Sequence, residues 1–283
     1  LDALAEVRVL DLAIETLELQ YLKHEVERPE YRKRYLALLK QRSYLALAAP
    51  AVPDIPVPTR PEKGHGSNRI SLLGGEVADE PYAELRLRPA YHSLLDADEG
   101  YLVGSQIDFL NIIARYYTDL DKVRLHAVDL VNIVSLAPRH RFYRPISWKL
   151  ESGFKRQLFG DDVERMLFNI NPGGGFTYGS GRLMTYLMLE TDLQFSGHYR
   201  DDAMLGFGGS AGLLAWLGDR QKLKLEARQV EFLAGDEDFT SIRGTAGLNW
   251  RIGVNSSLSI EGRREKTHDI YKSEVKGGLN LYW

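Results

Sequence analysis

The densest group of residues able to do chemistry lies in ELRLRPAYHSLLDADEG, which holds Glu84, Arg86, Arg88, His92, Ser93, Asp96, Asp98 and Glu99. Side chains of an extended chain alternate between two faces, so Glu84, Arg86, Arg88 and His92 lie opposite Leu85 and Leu87. A histidine beside a serine, with aspartates downstream, is the material of a hydrolase or acyltransferase. His92 would be the base, Ser93 or a neighbouring hydroxyl the nucleophile, and an aspartate would orient the imidazole. Adjacent strand residues point to opposite faces, however, which argues against a His92–Ser93 dyad. The competing reading is a set of interior charges that must pair because they are buried together. Asp108 and Asp129, inward on the next strands by parity, are then the expected partners of Arg86, Arg88 and His92, and Asp96, Lys149 and Glu151 complete the candidate interior cluster. Asp96, Asp98 and Gly100 resemble a fragment of a calcium loop, but the remaining ligand positions are missing, so a polar turn is expected. Gly173, Gly174 and Gly175 precede a strand and not the helix a phosphate loop needs, and read as a bend in the wall. His65, His126, His140, His198 and His268 show no metal-ligand spacing. No catalytic residue, metal or cofactor is assigned.

The elements that must position this cluster are strands. From Tyr271 to Trp283 one face carries Tyr271, Val275, Leu279, Leu281 and Trp283, and the other Lys272, Glu274, Lys276, Asn280 and Tyr282. Trp148, Leu150 and Phe154 alternate with Lys149, Glu151 and Lys155, and Leu223, Leu225 and Ala227 with Lys222, Lys224, Glu226 and Arg228. Oil on one face and charge on the other, repeated strand after strand, is how a lipid-facing barrel wall reads. Between Leu183 and Leu193 the pattern blurs, because Met184, Tyr186 and Met188 oppose Leu183, Leu187 and Leu189, and the inner face there is expected to be partly apolar. Tyr101, Tyr116, Tyr117, Tyr143, Trp148, Tyr178, Trp216, Trp250 and Trp283 fall near strand ends, where aromatic girdles belong. Soluble barrels and sandwiches share the alternation and form the bland alternative.

Composition agrees with a barrel. The 283 residues carry a formal net charge of -3, 27% charged residues and no cysteine, with a mean hydropathy of -0.29. This charge gives no bias toward nucleic acid, and the lack of cysteine removes disulfides, thiolate zinc sites and cysteine nucleophiles. No apolar run is long enough for a membrane helix. Leu4, Val7, Leu10, Ile14, Leu17 and Tyr21 recur at helical spacing, and Pro29 opens a second helix with Arg32, Lys33, Arg34, Lys40 and Arg42 on its outer face. That basic face is either solvated or turned to anionic phosphate or lipid headgroups. Prolines 50, 53, 56, 58 and 61 forbid helix and central strand. The expected organisation is a helical hairpin over 1–49, a proline-rich linker over 50–64 and an antiparallel β-barrel over 65–283. The fold class is all-β with a short N-terminal helical segment, an outer-membrane-type barrel of about twelve strands. A start at Leu1, without Met or leader, reads as a piece of a longer protein.

The runs GHGSNRISLLGGEV, LRLRPAYHSLLDADEGYLVGSQIDFL and LVNIVSLAPRHRFYRPISWKLESG resemble the C-terminal half of a Gram-negative cell-envelope family, called Lnb-type and linked to lipoprotein N-acylation. The likeness is best over His65 to Gly153 and looser over the hairpin and the remaining strands. It implies an N-terminal periplasmic domain carrying Cys and His chemistry, then a helical segment and a barrel-like region. Arg88, His92 and Asp96 match the family's Arg-Pro-x-x-His-x-x-x-Asp run. A chain without cysteine lacks the catalytic part, so no catalytic residue carries over. The expectation is an outer-membrane barrel, helical segment periplasmic, that anchors or positions an envelope domain absent from this chain. A porin-like channel and a barrel-resident lipid or acyl hydrolase are the alternatives. Expected partners are outer-membrane lipid and the upstream domain of the same protein, with no nucleic acid.

Overall fold

The computed structural model describes residues 2–45, 57–199, 201–233 and 238–283. It forms two compact units, Leu1–Val57 and Pro58–Trp283. In the first, α1 spans Ala3–Leu22 and α2 spans Arg28–Tyr44. Asp2 caps α1 by accepting from the Ala5 amide at 2.6 Å, which satisfies a donor with no partner inside the helix. Pro29 sits in the first turn of α2, where its missing N–H costs nothing. Tyr21 stacks on Tyr31 at 4.4 Å, and Arg42 Nε donates to Asp11 at 2.8 Å, which ties the helices into a hairpin. Of the expected proline connector over 50–64, residues 50–56 lie outside the described residues, and its end forms a 3-10 turn at Pro61–Lys63.

The second unit is a closed antiparallel barrel. Its strands are β1 Arg69–Val77, β2 Glu80–Arg88, β3 Ala90–His92, β4 Ser105–Tyr117, β5 Lys122–Ser135, β6 Ser147–Leu158 and β7 Glu164–Ser180. They continue with β8 Leu183–Phe195, β9 Ala203–Trp216, β10 Gln221–Phe232, β11 Phe239–Gly253, β12 Ser256–Thr267 and β13 Ile270–Tyr282. Each pairs with its sequence neighbour, and β1 pairs with β13, which closes the cylinder. The short β3 is not an extra position in the wall. Leu87 faces Ile112 and Ala90 faces Phe109 in one unbroken register along β4, and Pro89, with no N–H to give the ladder, splits a single strand in two. The wall therefore has twelve positions among the described residues, the even number of single-chain bacterial outer-membrane barrels.

Alternation decides which side chains face in. Along β8, Leu189 is 77% exposed on the outside, while Glu190 and Asp192 behind it are 4% and 0% exposed. Val275, Leu281 and Trp283 face out from β13, and Glu274, Asn280 and Tyr282 are buried within. No described helix is long and apolar enough to cross a membrane, which says nothing of the strands. Of the aromatic residues expected in girdles, Tyr116, Tyr143, Trp148, Tyr178, Trp250 and Trp283 are exposed on the outside. Tyr101, Tyr117 and Trp216 turn inward, Trp216 Nε1 donating to Asp98 at 2.6 Å.

The two rims differ. One carries the start of β1, the end of β13 and the segments 93–104 and 136–146. The other is made of turns in which Asp79, Asp121, Asp162, Asp202 and Asp269 adopt positive φ, a conformation that aspartate tolerates better than most side chains. Placing a guanidinium on the lipid-facing wall tests the orientation of the strands. Leu189→Arg is expected to cost roughly 2–4 kcal/mol for unfolding from lipid vesicles if this position lies near the bilayer midplane, and an unchanged midpoint would show that the outer face does not meet lipid.

Candidate functional site in the barrel lumen

Between β3 and β4 the chain does not make a surface turn. Residues 93–99 fold into the lumen, and the chain then bends at Gly100 and Gly104, at φ 84 and 79, to return to β4 past the exposed Leu102 and Val103. Leu94 packs with Leu136, Tyr186, Met188 and Leu214, so the partly apolar inner face of β8 is where the segment lands. Leu95 lies over Gly247, where a Cβ would stand 2.6 Å from Leu95 Cδ1. Polar contacts complete the fit. Asn249 Nδ2 donates to Leu95 O at 2.9 Å, Lys222 Nζ to Asp96 O and Asp98 Oδ1 at 2.7 Å each, and Arg251 pairs with Glu99. The segment thus touches the wall from β1 round to β8, and it forms a plug.

Asp96 is the centre of that plug. It is 1% exposed, and its Oδ1 accepts from Arg69 Nη1 at 3.0 Å and Tyr282 OH at 2.8 Å. Oδ2 accepts from the Ser93 amide at 2.9 Å and meets Arg88 Nη1 at 2.7 Å. Burial alone would raise this carboxyl, but the guanidiniums of Arg88 and Arg69 outweigh it and hold it well below the usual carboxylate range. Arg88 also reaches Asp108 Oδ1 at 3.1 Å. Ser93 Oγ accepts from Arg88 at 2.5 Å and donates to Asp108 at 3.0 Å.

His92 turns away from Ser93 toward His65. Because a carbonyl can only accept, the His65 Nδ1 that lies 2.7 Å from Gly66 O carries the proton. His65 Nε2 then accepts from His92 Nδ1 at 3.1 Å. Tyr101 stacks on both rings, at 4.3 Å from His92 and 4.5 Å from His65. His65, His92 and Asp96 bring one donor atom each within 4.8 Å of one another, a spacing that suits a metal ion. The rest of the site does not suit one, since both Asp96 oxygens are committed to hydrogen bonds and two guanidiniums flank them. The arrangement acts as a polar lock, and the hydrolase constellation of histidine on serine does not assemble.

The remaining residues of the candidate cluster lie in two further networks. Glu84 accepts from Arg86 at 2.5 Å and Arg115 at 2.7 Å, and Arg86 makes a two-pronged contact with Glu261 at 3.0 Å. Lys149 pairs with Glu190 at 2.8 Å, where Arg228 Nε joins at 2.7 Å. Glu151 lies within electrostatic reach of Lys155, Lys149 and Arg228. Asp129 accepts from Asn111 at 2.8 Å and meets neither Arg86 nor Arg88. Asp108 thus joins the Arg88 lock, while Arg86 pairs with glutamates. His65, Arg69, Arg115, Lys222 and Tyr282 are essential parts of these networks that the cluster read from the sequence omits.

The plug divides the lumen. A cavity of about 410 Å³ runs from Leu95 and Asn249 to Thr267, Ile270 and Lys272 at the far rim. Another of about 450 Å³ lies on the plug's other side, against Asp98, Glu99, Arg182 and Arg251. Leu95 and Asn249 line both and form the partition. Arg88→Met would leave two buried carboxylates short of a partner, and a loss of about 3–5 kcal/mol is expected in denaturant unfolding from micelles. An unchanged midpoint would mean that Arg88 is solvated. The lowered Asp96 pKa sets a sign for pH. Its contribution to stability is fully present above the unfolded carboxylate value of about 3.9 and is lost as pH falls toward the folded value. Asp96→Asn should flatten that acid limb, and an identical pH profile would contradict the charge's role.

Among curated proteins no relative of this sequence is found. Several solved structures are similar to this chain at low identity. NanC porin is 7% identical over 76% of this chain and 100% of its own, with a TM-score of 0.46. KdgM porin is 10% identical over 76% and 99%, at 0.43. A loop-deletion mutant of OmpT, an outer membrane protein of Vibrio cholerae, is 8% identical over 76% and 97%, at 0.40. Residues 58–282 match the family model described as a domain of unknown function, DUF7840, so the matched span coincides with the barrel unit, and the chain belongs to the DUF7840 family.

Proposed function

We propose that this barrel is an outer-membrane anchor, sealed by its own plug, that holds a periplasmic envelope domain at the membrane. The observation that carries this reading is the segment 93–99 crossing the lumen and bonded to the wall through Asp96, Asp98 and Glu99. A solute pathway gains nothing from a partition fixed by buried ion pairs, whereas a scaffold gains rigidity from it. Two features support a modular arrangement. The matched domain spans 58–282, and the helical hairpin precedes it on the chain. The resemblance to Lnb-type proteins supports a lipoprotein-modifying envelope domain as the cargo and the periplasm as the side of the hairpin.

A porin-like reading has one observation in its favour, the charged cavity that reaches the far rim, and it requires the plug to move. Recording across a planar bilayer separates the two. The unmodified barrel is expected to give no steady conductance, while a variant with 94–100 replaced by a short Gly-Ser turn is expected to conduct. A steady open channel from the unmodified chain would overturn the anchor reading. The hydrolase alternative is tested by esterase assay of this chain alone, where no activity is expected because Ser93 Oγ is engaged by Asp108 and Arg88.

A further inference from the structure

The segment APRHRFYRPISW, residues 137–148, carries Arg139, His140, Arg141 and Arg144 and no Asp or Glu. It lies on the rim where the plug and the barrel's chain ends meet, and it is held there in a defined shape. The Arg139 amide donates to Thr177 O at 2.8 Å, the His140 amide to Tyr143 O at 2.8 Å, and the Ala137 amide to Ser147 Oγ at 3.1 Å. Thr177 is buried toward the lumen, so its neighbour Phe176, 44% exposed, faces outward from β7. The Arg139 guanidinium lies 4.6 Å from the Phe176 ring centroid, which places that charge outside the wall, against a lipid-facing ring. Tyr143 is 65% exposed, and Phe142, Ile146 and Trp148 are exposed beside it. Among the described residues no carboxylate pairs with Arg139, Arg141 or Arg144.

We infer that this loop is a seat for the phosphate headgroups of anionic glycerophospholipid in the leaflet at this rim. The inference rests on the barrel being embedded in a membrane. Three arginines supply planar donors that match phosphate oxygens in pairs, and the aromatic residues among them suit the boundary between acyl chains and headgroups. The opposite rim is different in charge. Its turns carry Asp79, Asp119, Asp121, Asp162, Asp201 and Asp202, besides Asp161 and Asp269, which pair with Arg165 and Lys266. Turn geometry alone does not demand this, because the turn after β7 meets the same positive φ with Gly181. Anionic lipid is therefore attracted at one rim and repelled at the other, which would also fix the direction of the barrel in the bilayer.

Native mass spectrometry of the full chain in detergent tests the seat, with phosphatidylglycerol and phosphatidylcholine of identical acyl chains as probes. Phosphatidylglycerol is expected to be retained at least about five-fold better, in keeping with the attraction of anionic lipid for a few basic residues. The triple variant Arg139→Gln, Arg141→Gln, Arg144→Gln should lose that preference while keeping heat-modifiable migration on a gel. Should the glutamine variant fail to fold, lysine at the three positions should fold and keep most of the preference. Equal retention of both lipids by the unmodified chain, an undiminished preference in the glutamine variant, or retention of lipid A in place of phosphatidylglycerol would each overturn the seat. An unmodified chain that is monomeric without detergent and not heat-modifiable would instead remove the membrane reading on which the seat depends.

Discussion

One carboxylate, that of Asp96, holds the inside of this barrel together. A buried charge is tolerated only when its lost hydration is replaced, and here two guanidiniums, a phenol and a backbone amide replace it. These groups come from β1, β2, β13 and the plug itself, so the contact joins the plug to the seam where the first and last strands close the cylinder. Tyr282 serves two structures at once, since it ends the closing strand and donates to Asp96. The plug and the closure of the barrel are for that reason expected to form and fail together.

From that centre the interior divides by chemistry. On the seam side, polar locks dominate, with Glu84, Arg86, Arg115, Glu261 and Glu274 linked across the lumen. On the far side, Leu94 meets an apolar patch, and beyond it Glu190 and Asp192 are neutralised by Lys149 and Arg228. Charged networks of this kind give position more than stability. Their effect here is a partition of fixed shape between two cavities, a construction suited to a scaffold.

The wall is legible in the sequence because an apolar outside and a polar lumen impose a period of two on every strand. Leu85 and Leu87 alternating with Glu84, Arg86 and Arg88 is enough to set the register of β2. Pro89, at a position that needs a ladder donor, explains the break that follows. The plug is not legible, because its partners lie far along the chain. Lys222 and Tyr282 are separated from Asp96 by more than half the barrel, and only closure brings them to it. Asp129 lies on β5, two strands from β2, and meets Asn111 of the intervening β4 in place of Arg86 and Arg88, which parity alone would pair. Parity also does not tell a girdle from a lining, so Tyr101, Tyr117 and Trp216 look like interface aromatics and are interior ones. The one local hint was the apolar inner face of Met184, Tyr186 and Met188, an anomaly in a polar lumen that marks the plug's landing site.

Hydrogen exchange on the barrel reconstituted in lipid vesicles reads the state of residues 93–99 directly. The amides of Ser93, Leu94 and Asp96 donate to Asp96 Oδ2, Gln106 Oε1 and Ser93 O. If the segment is a fixed plug, these three amides should be protected to about the level of the wall strands. Exchange as fast as in the exposed turn at 118–121 would show a loop that leaves the lumen, and would contradict the sealed scaffold.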